Sequence, residues 1–338
     1  MADAEDSKSF AREGVWVRVP LWARCYLQDM EIIGTTVLRN EVVALFPGQG
    51  SLSGGAGLAW KDSSHWGIIE QISSASGQDV AWLLTEATDD EVVRTDRAQI
   101  ATFALSLIGF LELRDRGVTP GFLLGHSLGE FSALVASGLL SVHDGATLIG
   151  VRGAAMQKAA SEVEGSMVAL MGASEGALES LSSLENIWVA NINGTGQIVV
   201  SGTRSALDQL LENHKDLGWK RATPLPVGGA FHSPLMAPAQ AELDQALGGV
   251  SWGTATCGVI ANVDGKVHSS AAEWQELLSR QLTSPVQFLD ATLALPETVT
   301  TTIEMPPGNV LTGLTKRIRP FTNQISVGSL KQMKEIEL

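Results

Sequence analysis

The chain has 338 residues, of which 44% are apolar and 18% are charged; this composition supports one or two packed domains and excludes a short binding module or a disordered polymer. It carries 23 basic and 37 acidic side chains, a formal net charge of −14, so its field repels phosphate backbones and we expect no nucleic-acid partner. Cys25 and Cys257 match no metal-binding spacing, so we expect no metal site, no disulfide scaffold and a reducing compartment.

Residues 1–40 lack the pattern of an ordinary targeting segment. Their start is acidic, and Arg18 and Arg24 interrupt the apolar stretch that follows, which argues against a signal or transit peptide. No window reaches the roughly 18 consecutive apolar residues that span a bilayer. We therefore predict a soluble, cytoplasmic protein with no membrane partner and an N-terminal extension of unknown role. An organellar location is the alternative, if residues 1–40 are a targeting segment.

Two short apolar runs predict buried strands that end in glycine-rich loops. Residues 41–46 lead into Pro47-Gly-Gln-Gly-Ser51, and residues 121–124 lead into Gly125-His-Ser-Leu-Gly129. Between them, apolar residues at helical spacing predict a helix over residues 98–116. This alternation is typical of an α/β protein, which keeps its site in the loops at strand ends.

The stretch 163–226 has a different order of elements, βαββαβ, which is that of a ferredoxin-like unit. Its predicted strands are 166–171, 187–192, 197–201 and 221–225, and its predicted helices are 175–184 and 204–214. The α/β alternation then resumes with a helix from about 233, a strand at 258–261, a helix at 272–282, a strand at 301–304 and a helix at 309–318. We therefore predict an α/β fold in two domains. A hydrolase-like large domain with a parallel sheet, residues 41–162 and 227–335, carries a small ferredoxin-like domain, residues 163–226, as an insertion.

The segment Gly125-His-Ser-Leu-Gly129 fits the pattern G-x-S-x-G between a predicted strand and a helix predicted over residues 131–139. Flanking glycines permit a strained turn that pushes the Ser127 hydroxyl outward, with the Leu128 N–H beneath it to stabilise an oxyanion. The pattern alone is weak evidence. The alternative is a serine that caps a helix after a glycine turn.

A nucleophilic serine needs a base, and the chain offers six histidines. His232 is the best placed, because it lies in the loop where the chain returns from the predicted small domain to the large one, and such a loop can face Ser127. A structural or surface histidine is the alternative. His126, next to the serine, is expected to brace the turn.

Together these segments resemble the malonyl-CoA:acyl carrier protein transacylase family, over nearly everything from residue 42 to residue 318. The segments that carry the resemblance are Phe46-Pro-Gly-Gln-Gly-Ser51, Gly125-His-Ser-Leu-Gly-Glu130, Val151-Arg-Gly-Ala-Ala-Met156, Ala190-Asn-Ile-Asn193, Gly229-Ala-Phe-His-Ser-Pro-Leu-Met236 and Gln281-Leu-Thr-Ser-Pro-Val286. The family's fold is a hydrolase-like α/β domain with a ferredoxin-like small domain, which agrees with the element order above.

The resemblance implies a catalytic set. Ser127 would attack the malonyl thioester and form a malonyl ester, while His232 takes the serine proton and returns it to the leaving thiol. The backbone N–H groups of Gln49 and Leu128 would form the oxyanion hole. The main-chain carbonyl of Gln281 would orient His232 in place of the usual acid. Malonyl-CoA is then the substrate, with no bound cofactor, and the product enters fatty acid biosynthesis.

The resemblance also implies a malonyl-binding set. Arg152 would grip the free malonyl carboxylate through two parallel hydrogen bonds; without the resemblance, a surface arginine paired with a glutamate is the ordinary reading. Phe231 would leave little room for a methyl branch at C2. Gln99, Asn193 and Met156 would line the pocket.

The implied partner is an acyl carrier protein, and such carriers are acidic as a class, so the docking surface on this acidic chain must be locally basic. We expect a monomer. The candidate clusters are Lys215, Lys220 and Arg221, and Lys316, Arg317 and Arg319.

A non-catalytic chain that keeps the fold as a carrier-docking scaffold is one alternative, and the intact set of Ser127, His232, Arg152 and Gln281 argues against it. Two other enzymatic functions stay open at this point. One is a trans-acting acyltransferase of polyketide synthesis, which differs only in its carrier. The other is a serine thioesterase or hydrolase, in which Asp144 or Asp208 is the acid that orients the histidine, since both lie between Ser127 and His232 in chain order. Arg152 discriminates the second, because a hydrolase of neutral acyl chains has no use for a cation in its pocket.

Overall fold

The computed structural model describes residues 38–337, so residues 1–37 of the predicted extension, with Cys25, lie outside the described part of the chain. The strands of this part are β1 (Leu38–Phe46), β2 (Thr119–Gly125), β3 (Gly165–Ala173), β4 (Ile187–Gly194), β5 (Gln197–Thr203), β6 (Trp219–Pro224), β7 (Gly258–Ile260), β8 (Val267–His268), β9 (Thr301–Glu304) and β10 (Asn323–Ser326). Its α-helices are Ile68–Ser76, Val80–Thr85, Asp89–Val92, Thr95–Asp115, Leu128–Ser137, Val142–Glu162, Ala177–Ser182, Arg204–Asn213, Ala237–Leu247, Ala271–Gln281, Phe288–Leu293, Val310–Ile318 and Leu330–Glu335. Short 3₁₀ turns cover Gln49–Ser51, Ala56–Trp60 and Pro234–Met236.

The large sheet has the strand order β10-β9-β1-β2-β7-β8. The first five strands are parallel, whereas β8 pairs antiparallel with β7. The predicted parallel sheet is therefore confirmed, with one antiparallel strand added at this edge. The reason is local: Gly265 adopts a φ of 66°, a conformation that glycine enters easily, and the chain turns straight back along β7.

Helices cover the large sheet on both faces. Successive residues of β1 point to opposite faces, so this strand contributes side chains to two cores. Val42, Ala44 and Phe46 pack into one core, which includes the buried helix Thr95–Asp115. Val43 and Leu45 pack into a second core with Phe288–Leu293 and Val310–Ile318. A strand buried on both faces explains the unbroken apolar run in the sequence.

The second sheet is antiparallel, with the strand order β4-β5-β3-β6. Its apolar face, which includes Val168, Leu170 and Val200, packs against the helices Ala177–Ser182 and Arg204–Asn213. This is the order expected of a ferredoxin-like unit, so the predicted fold class is confirmed. All four strands fall within the predicted small domain, 163–226. The domain boundaries themselves stay a prediction.

Strand β4 also pairs with the segment that follows the helix Ala271–Gln281. Ile192 N–H donates to the Val286 carbonyl and Val286 N–H donates to the Ala190 carbonyl, each at 2.9 Å. These bonds join the small sheet to the large domain through Val286, whose side chain packs in one core with Val43 and Leu45 of β1. None of the helices formed within residues 38–337 is both long and apolar enough to cross a membrane.

Candidate active site

The site is built around the turn between β2 and the helix Leu128–Ser137, which begins three residues earlier than predicted. Ser127 adopts φ 52° and ψ −110°, a conformation that costs a non-glycine residue about 1–3 kcal/mol. The two flanking glycines allow this turn to pack closely. A Cβ on Gly125 would lie 2.0 Å from the Gly129 carbonyl carbon, and a Cβ on Gly129 would lie 2.0 Å from the Phe46 carbonyl oxygen.

His232 lies against this turn, as predicted. Its Nε2 is 2.8 Å from Ser127 Oγ, and its Nδ1 is 2.9 Å from the main-chain oxygen of Gln281. Because a carbonyl oxygen only accepts, Nδ1 carries the proton, and Nε2 faces the serine hydroxyl as an acceptor. The pair therefore has the geometry for proton transfer from Ser127 to His232.

The environment keeps the His232 ring neutral. Burial is the main cause that lowers its pKa, to about 3, and the positive charge of Arg152 adds to the effect. Burial penalises the protonated form of an imidazole and so favours the form that can accept a proton. At neutral pH the histidine is a base in its acceptor state.

Arg152 is the third member of the group, and it is 1% exposed, so the reading of a surface arginine is wrong. Its Nη1 donates to Gln99 Oε1 at 2.6 Å. Its Nη2 donates to Gln281 Oε1 at 2.9 Å and to Ser127 Oγ at 3.1 Å. Its Nε is buried without a hydrogen-bond partner in the described part of the chain. Burial lowers the pKa of Arg152 to about 9, which still leaves the guanidinium charged at pH 7.

Some of the other residues predicted for the pocket lie close to Arg152 or His232, and one lies farther away. Gln99 contacts Arg152 and donates through Nε2 to Met156 Sδ at 3.3 Å. Phe231, 4% exposed, precedes His232, and its carbonyl accepts the Ser201 hydroxyl. Asn193 is farther from the serine.

Asn193 Oδ1 is 3.0 Å from His126 Nε2. His126 therefore links the turn to β4, and its ring lies 5.4 Å from that of Phe288. Asn193 also lines a groove with Gln197 and Arg317. The bracing role expected of His126 is consistent with these contacts.

The two predicted oxyanion donors come from neighbouring loops. Leu128 is the first residue of its helix, so its N–H has no intrahelical acceptor. Gln49 begins the 3₁₀ turn after β1, and a Cβ on Gly48 would lie 3.2 Å from the His126 carbonyl oxygen. The loop that carries Gln49 thus packs against the turn that carries Ser127.

Two buried residues that the sequence analysis did not single out hold the turn in place. Asn262 accepts the Ser127 N–H through Oδ1 at 2.6 Å and donates through Nδ2 to the Gly125 carbonyl at 2.7 Å. Glu130, 0% exposed, accepts the Asn262 N–H at 2.6 Å and the side-chain amide of Gln281. The signal for Asn262 was its place just past β7, where the carboxyl ends of parallel strands meet.

The acids proposed for a hydrolase triad are wrong. Asp144 caps the exposed start of the helix Val142–Glu162 with Ser141. Asp208 is exposed on the helix Arg204–Asn213. The Nδ1 position of His232 is taken by the Gln281 carbonyl.

One member of the predicted basic clusters is half-buried and bound to the main chain. Arg319 donates to the carbonyls of Leu295 at 2.7 Å and Pro296 at 2.8 Å. These bonds hold the loop that follows the helix Phe288–Leu293. The exposed members of its cluster are Lys316 and Arg317.

A mostly parallel sheet with a strained serine after its second strand, and a neutral histidine on the serine hydroxyl, is the arrangement typical of α/β enzymes that use a serine nucleophile. Comparison with known proteins narrows this class. The family model of the acyl transferase domain matches residues 43–334. The malonyl CoA-acyl carrier protein transacylase of Bacillus subtilis is 35% identical over 311 residues, which cover 87% of this chain and 98% of that protein.

Solved structures support the same family. That of the Mycobacterium tuberculosis malonyl-CoA:acyl carrier protein transacylase has a TM-score of 0.82 and 34% identity, and the match covers 87% of this chain and 98% of that one. A malonyl-transacylase solved in complex with its type II polyketide synthase acyl-carrier protein has a TM-score of 0.82 and 32% identity, with the same coverage. The chain therefore belongs to the malonyl-CoA:acyl carrier protein transacylase family.

Proposed function

We propose that this chain transfers the malonyl group of malonyl-CoA to the phosphopantetheine thiol of an acyl carrier protein, through an ester on Ser127. The observation that carries the proposal is the buried Arg152 cation beside Ser127, whose Nε has no partner among the described residues. A buried donor without an acceptor is costly. The malonyl carboxylate supplies the missing acceptor.

In the first half-reaction, Ser127 Oγ attacks the thioester carbonyl while His232 Nε2 takes the hydroxyl proton. The new C–O bond forms, and the carbonyl π electrons move onto oxygen as an oxyanion. Collapse of this intermediate breaks the C–S bond, and His232 returns its proton to the coenzyme A sulfur. The distance of 2.8 Å between the two side chains supports both proton transfers.

The oxyanion is stabilised by the backbone N–H groups of Gln49 and Leu128. Leu128 heads a helix, so its N–H lies at the positive end of the helix dipole. The loss of one such donor typically costs about 3 kcal/mol of transition-state stabilisation. The Gln281 carbonyl keeps His232 in the tautomer that this chemistry needs.

Substrate selection rests on charge and on shape. Arg152 Nε has a free N–H, and Nη2 can exchange its bond to Ser127 Oγ for one to the substrate when Ser127 is acylated, so the two groups on one edge of the guanidinium match the two oxygens of a carboxylate. An acetyl group has no counterpart for this edge. Phe231, next to His232 in the chain, disfavours a methyl branch at C2. Gln99 holds Arg152 Nη1 through its Oε1, and Met156 holds Gln99 through its Sδ. Asn193 contributes at the groove side of the site.

In the second half-reaction, the carrier's phosphopantetheine thiol attacks the malonyl ester, with His232 as its base, and Ser127 is restored. A groove lined by Asn193 and the exposed Arg317 lies next to the turn, because Asn193 contacts His126, and it is the proposed path for the arm. An acidic carrier fits Arg317 at this groove and the exposed Lys316 beside it in the chain. The carrier of fatty acid synthesis is the proposed acceptor, and a polyketide carrier is the alternative.

We also propose a cytoplasmic monomer that works without a bound cofactor. One chain supplies the nucleophile, the base, the oxyanion donors and the carboxylate clamp, so the mechanism needs no group from a second subunit. A thioesterase is less well supported, because the carboxylate-binding Arg152 lies in the acyl site and the acids proposed for its triad lie elsewhere.

The proposal is tested by intact mass spectrometry of the full chain mixed with malonyl-CoA. One malonyl group is expected on the wild type and none on Ser127→Ala. Ser132→Ala is the matched control, since Ser132 is a buried serine on the same helix whose hydroxyl has no partner in the described residues. Adding a fatty acid carrier protein should remove the adduct. An adduct that persists in Ser127→Ala, or that only water removes, would refute the transferase.

A further inference from the structure

We propose that Glu130 is the positioning residue that holds the strained Ser127 turn in its reactive shape, acting through Asn262 and Gln281. The inference deepens the proposed function and rests on it, since it concerns the nucleophile of that reaction.

The first step is that both peptide groups of Ser127 are tied by side-chain amides. Its N–H donates to Asn262 Oδ1 at 2.6 Å, and its carbonyl accepts from Gln281 Nε2 at 3.0 Å. Asn262 spans the turn, because its Nδ2 also donates to the Gly125 carbonyl at 2.7 Å. A residue in a sparsely populated conformation persists only when its surroundings hold it there. These two amides are such surroundings.

The second step is that one carboxylate holds both amide residues. Glu130 Oε1 accepts the main-chain N–H of Asn262 at 2.6 Å, and Glu130 Oε2 accepts from Gln281 Nε2. Burial raises the pKa of Glu130 to about 7, and the two hydrogen bonds favour its ionised form. That form has two acceptor oxygens and no donor, which matches two N–H groups. Glu130 is 0% exposed and lies in the first turn of the helix that starts after Ser127, so few contacts compete with these bonds.

The third step is that the Gln281 amide can face only one way. Its Oε1 accepts from Arg152 Nη2 at 2.9 Å, and a guanidinium only donates. Its Nε2 must therefore point at the Ser127 carbonyl and at Glu130. If residue 130 carried an amide that kept its bond to the Asn262 N–H, two NH₂ groups would face each other. Gln281 would have to move or flip, and the Ser127 carbonyl would lose its donor.

Glu130→Gln tests this chain of contacts in single-turnover acylation with malonyl-CoA. We expect the acylation rate constant to fall about 100-fold, as for a small misplacement of a reacting group. The KM for malonyl-CoA should change less than about threefold, because Arg152 keeps its charge and its bond to Gln99. Glu112→Gln is the matched control: Glu112 is buried and accepts from the hydroxyls of Ser63 and Ser64, which an amide oxygen can still do.

The conservative variant Glu130→Asp provides a partial rescue that separates the charge from the volume of the side chain. It keeps a carboxylate with two acceptor oxygens and no donor, so the Gln281 amide can still face the Ser127 carbonyl. We expect it to acylate at least about tenfold faster than Glu130→Gln. Circular dichroism checks the fold of each variant. If Glu130→Gln is unfolded, a folded and active Glu130→Asp supports the role of the carboxylate and an inactive Glu130→Asp overturns it.

Three results would overturn the role of Glu130: a wild-type acylation rate in Glu130→Gln, a loss confined to KM, or an acylation rate in Glu130→Asp no faster than that of Glu130→Gln. The wild-type chain separates this failure from that of the proposed function. If the wild type forms no malonyl adduct, the transferase itself fails. If the wild type forms the adduct and Glu130→Gln forms it as fast, only the positioning role fails.

Discussion

At the scale of single residues, Arg152 is surrounded by neutral acceptors. Gln99 and Gln281 accept two of its hydrogen bonds through amide oxygens, and Glu130 lies beyond Gln281. A carboxylate in direct contact would neutralise the guanidinium and compete with an anionic substrate. The two amides orient the guanidinium without neutralising its charge. The free cation is what distinguishes this site from that of a generic esterase.

Replacing Arg152 by Ala should therefore change the choice of substrate. We expect kcat/KM for malonyl-CoA to fall by about 10²–10³-fold, since losing one partner of a buried charged pair costs several kcal/mol. Transfer from acetyl-CoA, which offers no carboxylate, should fall much less. Steady-state kinetics with both thioesters measures the ratio. Arg97→Ala, an arginine that stacks on Trp82, is the control, and an unchanged ratio in Arg152→Ala would remove the clamp.

The lowered pKa of His232 predicts how the free energy of unfolding depends on pH. Its pKa in the folded chain is about 3, below the ordinary value of about 6.5. Below pH 6.5 His232 binds a proton in the unfolded chain but not in the folded one. The free energy of unfolding is therefore higher above pH 6.5 and decreases as the pH falls toward 3. From pH 7 to pH 5, the unfolding free energy of the wild type should drop by about 2 kcal/mol relative to His232→Gln.

Urea titrations of the two proteins at both pH values measure this difference. The raised pKa of Glu130, about 7 mainly through burial, acts with the opposite sign, but it is common to both proteins and cancels. Equal pH dependence in the two proteins would mean that His232 is not held neutral by its burial.

At the scale of elements, the site depends on how closely three backbones meet. The end of β1, the end of β2 and the start of the helix Leu128–Ser137 approach so closely that Gly129 touches the Phe46 carbonyl. This contact fixes where the helix begins relative to the end of β1, and hence the direction of the Ser127 side chain. The glycines of the G-x-S-x-G pattern are needed for packing as much as for the turn.

Gly129→Ala should therefore destabilise the fold by about 3 kcal/mol or more, because its Cβ would lie 2.0 Å from a carbonyl oxygen of the buried β1 strand. Gly313→Ala is the matched control: it lies within the helix Val310–Ile318 with no atom within 4 Å of its built Cβ. That variant should gain up to about 1 kcal/mol from helix propensity. Unfolding of both is followed by circular dichroism, and equal effects would contradict the packing argument.

At the scale of the whole molecule, the net charge of −14 repels an acidic carrier, so docking depends on a local exception. Lys316 and Arg317 are exposed on the helix Val310–Ile318, and Arg317 lines the groove next to Asn193. The cluster Lys215, Lys220 and Arg221 is exposed as well. The position of Arg317 at the groove favours the first pair.

Reversing the charge of Lys316 and Arg317 to Glu should raise the KM for the carrier about tenfold at low salt, and the effect should shrink as salt screens it. Acylation by malonyl-CoA in the absence of carrier is the internal readout that the site is intact. Lys331→Glu with Lys334→Glu, on the helix Leu330–Glu335, is the control. If Lys220→Glu with Arg221→Glu raises the KM instead, docking belongs to the small sheet.

Local patterns predicted most of the elements that carry the site. The strand over residues 301–304 has the predicted bounds, and the order βαββαβ is that of the second sheet. Other boundaries shifted by a few residues: the strand predicted to end at 225 ends at Pro224, and the short strands β8 and β10 were not predicted. Such short edge strands depend on a neighbour rather than on their own pattern, so a window of sequence contains little sign of them.

What the sequence by itself determined is the chemistry available: a serine in a strand–turn–helix context, a histidine in a return loop, and an arginine on a helix. Only the tertiary structure decided which groups share one cavity. It brought Gln281 and Asn262 to the turn and kept Asp144 and Asp208 on the surface. The physical reason is that a hydrogen bond between residues more than 100 positions apart depends on how the sheets and helices pack, and no local pattern encodes that distance.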